Sequence, residues 1–235
     1  MTTVTLDTPD GAMDVHVEQP EGEPRGAVIV IQEAFGVNEH IQDVTRRVAA
    51  AGYFGVAPAL FHRAGGGTAG YEDFAKVMPL FEGVSDDGVL ADVDATISLL
   101  EERGFERSRI GIVGFCFGGR VSFLVAARRE LGAAVTFYGG GIVTGSPLGF
   151  PALIDEAAAL QTPWLGLFGD LDQGIPIEGV EELRRKLGGA SVAAEIVRYP
   201  DAEHGFHCDA RGSYHEPSAN DAWQRTLDWF ATHLA

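Results

Sequence analysis

The 235-residue chain has little cysteine, little positive charge and no long apolar run. Two cysteines, Cys116 and Cys208, are too few for a disulfide framework, so packing rather than cross-linking must hold the fold. Lys and Arg number 17 against 34 Asp and Glu, a formal net charge of −17. Phosphate backbones repel such a chain, which argues against a nucleic-acid partner. The polybasic clusters that dock on anionic membranes are also missing. No stretch of about 18 uninterrupted apolar residues exists. The first 18 residues alternate polar and apolar side chains and lack a basic head followed by an apolar run. Neither a membrane span nor a signal peptide is expected, and a reducing cytoplasm is the expected location. The Cys-x-x-Cys and His-x-x-x-His pairs of zinc sites are absent. His204, His207, Cys208, Asp209 and His215 cluster in sequence without that spacing, so no metal and no other cofactor is expected.

What the chain does have is 46% hydrophobic and 22% charged residues, an ordinary globular composition, over a length that suits one domain spanning residues 1–235. Short β-branched runs recur at 26–31, 53–57, 110–114, 133–138, 164–168 and 194–199. Helical patterns separate most of them, at 41–51, 89–103, 118–130, 179–187 and 218–234. Trp223, Leu227 and Phe230 mark the buried face of the last helix by their spacing. This alternation predicts an α/β fold with a mostly parallel central sheet, helices on both faces and an N-terminal antiparallel hairpin turning at Pro9-Asp10-Gly11. Residues 63–70 and 139–151 are glycine-rich and read as loops near the strand C-termini.

The chemical signal is Ile110-Gly-Ile-Val-Gly-Phe-Cys-Phe-Gly-Gly119, an apolar strand running into Gly114-x-Cys116-x-Gly118-Gly119 and then a helix. A nucleophile on a tight strand-to-helix turn needs small neighbours two residues before and after it, so that strand and helix can approach. There its side chain projects at the positive end of a helix, which favours a thiolate. The glycines around Cys116 do not have the Gly-x-Gly-x-x-Gly spacing of a dinucleotide turn. A buried cysteine acting as a small hydrophobe is the bland alternative. Downstream, Trp164–Pro176 reads as a buried strand ending in Asp170 and Asp172, and Ile196–Phe206 as a strand followed by a loop histidine, His204. Nucleophile, acid and base in that order along the chain match an elbow-type hydrolase.

With these segments and Gln32-Glu33-Ala34-Phe35-Gly36, the chain resembles the dienelactone hydrolase (carboxymethylenebutenolidase) family of the α/β-hydrolase fold, nearly end to end. The resemblance implies a cysteine-dependent hydrolase of a lactone or small activated ester, working through an acyl-enzyme. It makes Cys116 the nucleophile, His204 the base and Asp172 the acid, with Asp170 as rival. Asp172 is preferred because it stands four residues before Pro176 in the family's Gly-x-x-Asp-x-x-x-Pro pattern. Glu33 matches a glutamate that controls the thiol proton, and the backbone amides of Ala34 and Phe117 would form the oxyanion hole. The partner would be a small-molecule lactone or ester, and a monomer is the family-like expectation.

Phe35, Tyr138, Phe206 and Arg211 are candidate substrate-binding residues, and Phe61 and Trp164 are further apolar candidates for the pocket. The family's carboxylate-binding arginines have no clear counterpart: residues 64–102 hold no arginine, and Arg211 and Arg63 are only nearby substitutes. That departure weighs against dienelactone itself and is compatible with a neutral lactone or a different ester. The alternative reading on this fold is a noncatalytic ligand-binding or thiol redox-sensing protein using Cys116.

Overall fold

The computed structural model describes residues 2–234. Its first strands, β1 (Thr2–Thr8) and β2 (Gly11–Glu18), pair antiparallel across the expected turn, where Gly11 takes a φ of 121°. Five apolar runs become fully buried strands: β3 (Ala27–Ile31), β4 (Phe54–Pro58), β5 (Ile110–Phe115), β6 (Ala133–Phe137) and β7 (Trp164–Gly169). β8 (Ala194–Tyr199) closes the far edge and is only partly buried. The eight strands form one sheet in the order β1-β2-β4-β3-β5-β6-β7-β8. β2 joins β4 antiparallel, and every pair from β4 to β8 is parallel.

The helices are α1 (Glu39–Ala50), α2 (Val77–Leu80), α3 (Asp86–Glu102), α4 (Phe117–Arg128), α5 (Ile177–Leu187) and α6 (Glu216–His233). The five expected from periodicity all begin one to three residues early; at α1 and α3 a polar cap and polar first residues precede the first apolar one, whereas α4 and α5 open on Phe117 and Ile177. Asn38 Oδ1 accepts from the Ile41 amide, and Ser85 Oγ accepts from the Gly88 amide ahead of an acidic turn containing Asp86 and Asp87. The short α2 is absent from the sequence reading. Part of the 63–70 loop is tied down, since the Ala69 amide donates to the Phe35 carbonyl at 3.1 Å. No helix among the described residues is long and apolar enough to cross a membrane.

Topology positions the chemistry. β3 leads through α1 to β4 on one side of it, whereas β4 leads through α3 to β5 on the other. The reversal leaves a crevice at the C-terminal ends of β3 and β5, the usual place for ligands in such sheets. Glu33 follows β3 and Cys116 follows β5, while Asp172 and His204 follow β7 and β8.

Candidate active site

Close approach of backbone to backbone forms the turn after β5. A Cβ on Gly114 would collide with the Gly118 carbonyl, and one on Gly118 would come within 2.5 Å of the Ile31 and Gln32 carbonyl oxygens. Squeezed between them, Cys116 takes φ 55° and ψ −114°, a left-handed conformation that a side chain rarely adopts. Its amide donates to the Phe137 carbonyl at 3.1 Å, and its residue caps α4. The thiol is therefore held, partly exposed, at a helix start whose amides and dipole favour negative charge.

His204 Nδ1 donates to Asp172 Oδ2 at 2.6 Å, and Asp172 Oδ1 accepts from the Gly174 amide at 2.8 Å. The Asp172 side chain is only 2% exposed, so the pair fixes the imidazole from the protein side. Asp170, the rival acid, is held instead by a bidentate pair with Arg198 at 2.7 and 2.8 Å. Burial acts to lower the His204 pKa. Negative charge at Cys116, hydrogen bonds to Asp172 and Cys116 and the Asp172 charge outweigh burial and push it up to about 10. The imidazole thus prefers its cationic form beside the sulfur.

Glu33 is fully buried. Its Oε2 accepts from the Tyr71 hydroxyl at 3.0 Å and its Oε1 from Arg211 at 3.3 Å. The Arg211 guanidinium lies over the Phe35 and Tyr71 rings, 5.9 and 5.4 Å from their centroids. Tyr71 also takes hydrogen bonds from Asn38 and from the Cys208 thiol, each at 3.2 Å. Burial, reinforced by the Glu33 charge, raises the Tyr71 pKa, so the phenol remains a donor.

A cleft of about 580 Å³ carries Cys116 and His204 on its wall, with Ala34, Phe117, Arg120 and the 140–148 loop around them. A smaller apolar pocket of about 280 Å³, reaching Phe168 and Leu183, adjoins it through shared Gly141, Thr144, Gly174 and Ile175.

Of the expected substrate-binding residues, Phe35, Tyr138, Phe206 and Arg211 are not among those lining this cleft. Phe35 packs edge-on against Tyr71, and Arg211 is drawn to Glu33. Tyr138 and Phe206 are fully buried behind His204, with the Tyr138 ring 5.1 Å from the imidazole. Phe61 and Trp164 are core residues. Arg63 turns away to Asp92 and Asp10, at 2.7 and 2.8 Å.

Sequence reasoning overlooked Tyr71 and Arg120. Tyr71 sits in an irregular segment with no periodic signal. Arg120 carries a faint one, a cation within the apolar first turns of α4. It is 1% exposed, forms a bidentate pair with Asp86 and donates to the Pro151 carbonyl at 2.6 Å.

The sequence model of the dienelactone hydrolase family matches residues 13–234. The chain belongs to that family. Relatives include a Salmonella typhimurium protein, 46% identical over 212 residues that cover 88% of this chain and 77% of the relative. A Yersinia pestis protein is 41% identical over 237 residues, covering 97% and 87%. Both are named as inferred carboxymethylenebutenolidases. A crystal structure from Klebsiella pneumoniae, named as an inferred dienelactone hydrolase, is 41% identical with a TM-score of 0.89 over 98% of this chain and 97% of its own. A dienelactone hydrolase-like promiscuous phosphotriesterase from metagenomic libraries, 22% identical with a TM-score of 0.76 over 99% of this chain and 98% of its own, shares the fold. The architecture is thus the α/β-hydrolase fold, and the protein is a hydrolase acting on ester or lactone bonds.

Proposed function

We propose that the protein hydrolyses a neutral lactone or small activated ester, with Cys116 as nucleophile, His204 as general base and acid, and Asp172 as the group that orients the imidazole. The observation that carries this reading is the 2.6 Å Asp172–His204 hydrogen bond, with the imidazole sharing a cleft wall with a cysteine in a strained elbow. The thiolate attacks the carbonyl carbon, and the oxyanion forms between the amides of Ala34 and Phe117. The leaving oxygen takes a proton from His204 as the C–O bond breaks, leaving a thioester. Water then gives a proton to His204 and attacks the thioester. The tetrahedral intermediate then collapses with cleavage of the C–S bond, which restores the Cys116 thiolate beside the protonated His204 and releases the acid.

Commitment of the nearby arginines supports a neutral substrate. Arg120, the arginine lining the cleft, is matched by Asp86, and Arg211 is matched by Glu33. The adjoining apolar pocket suits an uncharged leaving group or acyl tail. The test is turnover of p-nitrophenyl acetate, a neutral lactone and dienelactone by wild type and by Cys116→Ala, with mass spectrometry of the quenched enzyme. Turnover of the neutral substrates and an acyl adduct on Cys116, both lost in the variant, are expected. A reactive Cys116 with no turnover of any of them would favour a redox or binding role instead.

A further inference from the structure

Glu33, His40 and Cys208 come from three segments far apart in the chain, yet one donor atom of each lies within 4.8 Å of the others. All three residues are buried. His40 is 5% exposed, and neither of its ring nitrogens has a hydrogen-bond partner. A buried imidazole rarely goes unsatisfied, so two idle nitrogens beside a thiol and a carboxylate call for an occupant. Access comes from a separate surface cleft of about 450 Å³ that reaches His40 and Tyr71. Its wall carries Glu39, Asp43 and Asp209 against the single cation Arg47, on a chain of net charge −17. Such a mouth attracts cations.

We propose that Glu33, His40 and Cys208 bind one zinc ion, which enters by this acidic cleft and not by the cleft that carries Cys116. One thiolate, one imidazole and one carboxylate form a donor set suited to zinc rather than to magnesium or calcium. On binding, Cys208 gives its proton to solvent and exchanges its hydrogen bond to Tyr71 for the metal. The thiolate and the carboxylate then cancel the two charges of the ion, which keeps the buried cage neutral. Zinc bonds of about 2.0–2.3 Å set tetrahedral donors roughly 3.5 Å apart, so the three side chains close by about an ångström. Motif spacing gives no hint of this site, because its ligands are gathered only by the fold. Glu33 also holds Arg211, so the metal would compete for a carboxylate beside the active site and slow turnover.

The test uses chelator-stripped full-length protein carrying Cys116→Ser, which removes the competing thiol. Calorimetry with zinc is expected to give one equivalent bound. Cobalt(II) in its place is expected to give the near-ultraviolet charge-transfer band of a thiolate ligand. Adding Cys208→Ser should abolish the band and weaken zinc binding at least tenfold, and adding His40→Phe, which keeps a packed ring, should weaken it comparably. Circular dichroism checks that each variant is folded, and either variant alone suffices if the other is not. Failure to take up stoichiometric zinc, or uptake unchanged in the folded variants, would overturn the proposal. So would uptake seen in wild type but lost with Cys116→Ser, since that metal would sit at Cys116 and His204. These readouts do not depend on ester turnover, so the hydrolase reading can stand or fall separately.

Discussion

Cys116 and Cys208 carry the same thiol in regions built differently. Cys116 stands at a strained strand-to-helix turn, partly open to a cleft, with the Asp172-held imidazole of His204 beside it. Cys208 is fully buried in an irregular segment, and its thiol donates to the Tyr71 hydroxyl. Burial raises the Cys208 pKa against that hydrogen bond, and the Glu33 charge adds to the rise. Cys116 instead stands at the start of α4 with the cationic imidazole of His204 beside its sulfur. Backbone position, rather than residue type, suits one thiol to the proposed role of nucleophile and leaves the other buried as a donor to Tyr71.

The largest effect that can break this comparison is loss of chemistry at the elbow. Cys116→Ala is expected to lower kcat/KM for an activated ester about 10⁴-fold or more, because nothing else at the turn can attack a carbonyl. Substantial residual turnover would move the nucleophile elsewhere. Next comes the acid. Asp172→Asn should lower kcat about 10²–10³-fold with little change in KM, since it removes the anion that orients and charges His204. Asp170→Asn, which loses only its pair with Arg198, should stay within about threefold of wild type. Steady-state kinetics of the two variants side by side separates them, and equal losses would show that the acid is not Asp172.

The contrast also explains what could be read from the sequence. An elbow is local: Gly114, Cys116, Gly118 and Gly119 lie within six residues, and the steric demand on each is visible in their spacing. The segments that hold Asp172 and His204 stood out because each follows a strand, while the preference for Asp172 over Asp170 came from the family's pattern and not from that placement. The polar frame was not. Tyr71 reaches Glu33 across 38 positions and Arg120 reaches Asp86 across 34, and neither pair leaves a periodic trace. Arg211 illustrates the same limit, since its number along the chain suggested a substrate contact while its guanidinium is spent on Glu33 and two rings. The starts of α1 and α3 slipped for a related reason: hydrophobic periodicity finds the buried face, whereas the polar cap and first residues lie ahead of it.

A stability effect sharpens the elbow side of the comparison. Arg120 projects from α4 four residues after Cys116 and is nearly inaccessible, so its charge depends on Asp86. Asp86→Asn strands a buried guanidinium and should cost about 3–5 kcal/mol in denaturant unfolding. Arg120→Met combined with Asp86→Asn should recover much of that loss, because no unpaired charge remains. A cost confined to a few tenths in the single variant would mean that water reaches the pair.

The smallest expected difference is also the most direct reading of the two thiols. At neutral pH, iodoacetamide should alkylate Cys116 at least about tenfold faster than Cys208, as mapped by mass spectrometry of the intact folded protein. The partner of Cys116 reports the same asymmetry. The folded pKa of His204, about 10, lies above the unfolded value of about 6.5, so its interactions stabilise the fold fully below pH 6.5. That stabilisation fades as pH rises through 10. Between pH 7 and 10, wild type should therefore lose unfolding free energy faster than Cys116→Ala, in which the sulfur's share of the upward pull is gone. NMR of the His204 ring should give a midpoint near 10 in wild type and a lower one in the variant. An unchanged midpoint would assign the shift to Asp172 alone and would remove the ion pair as the source of the reactivity of Cys116.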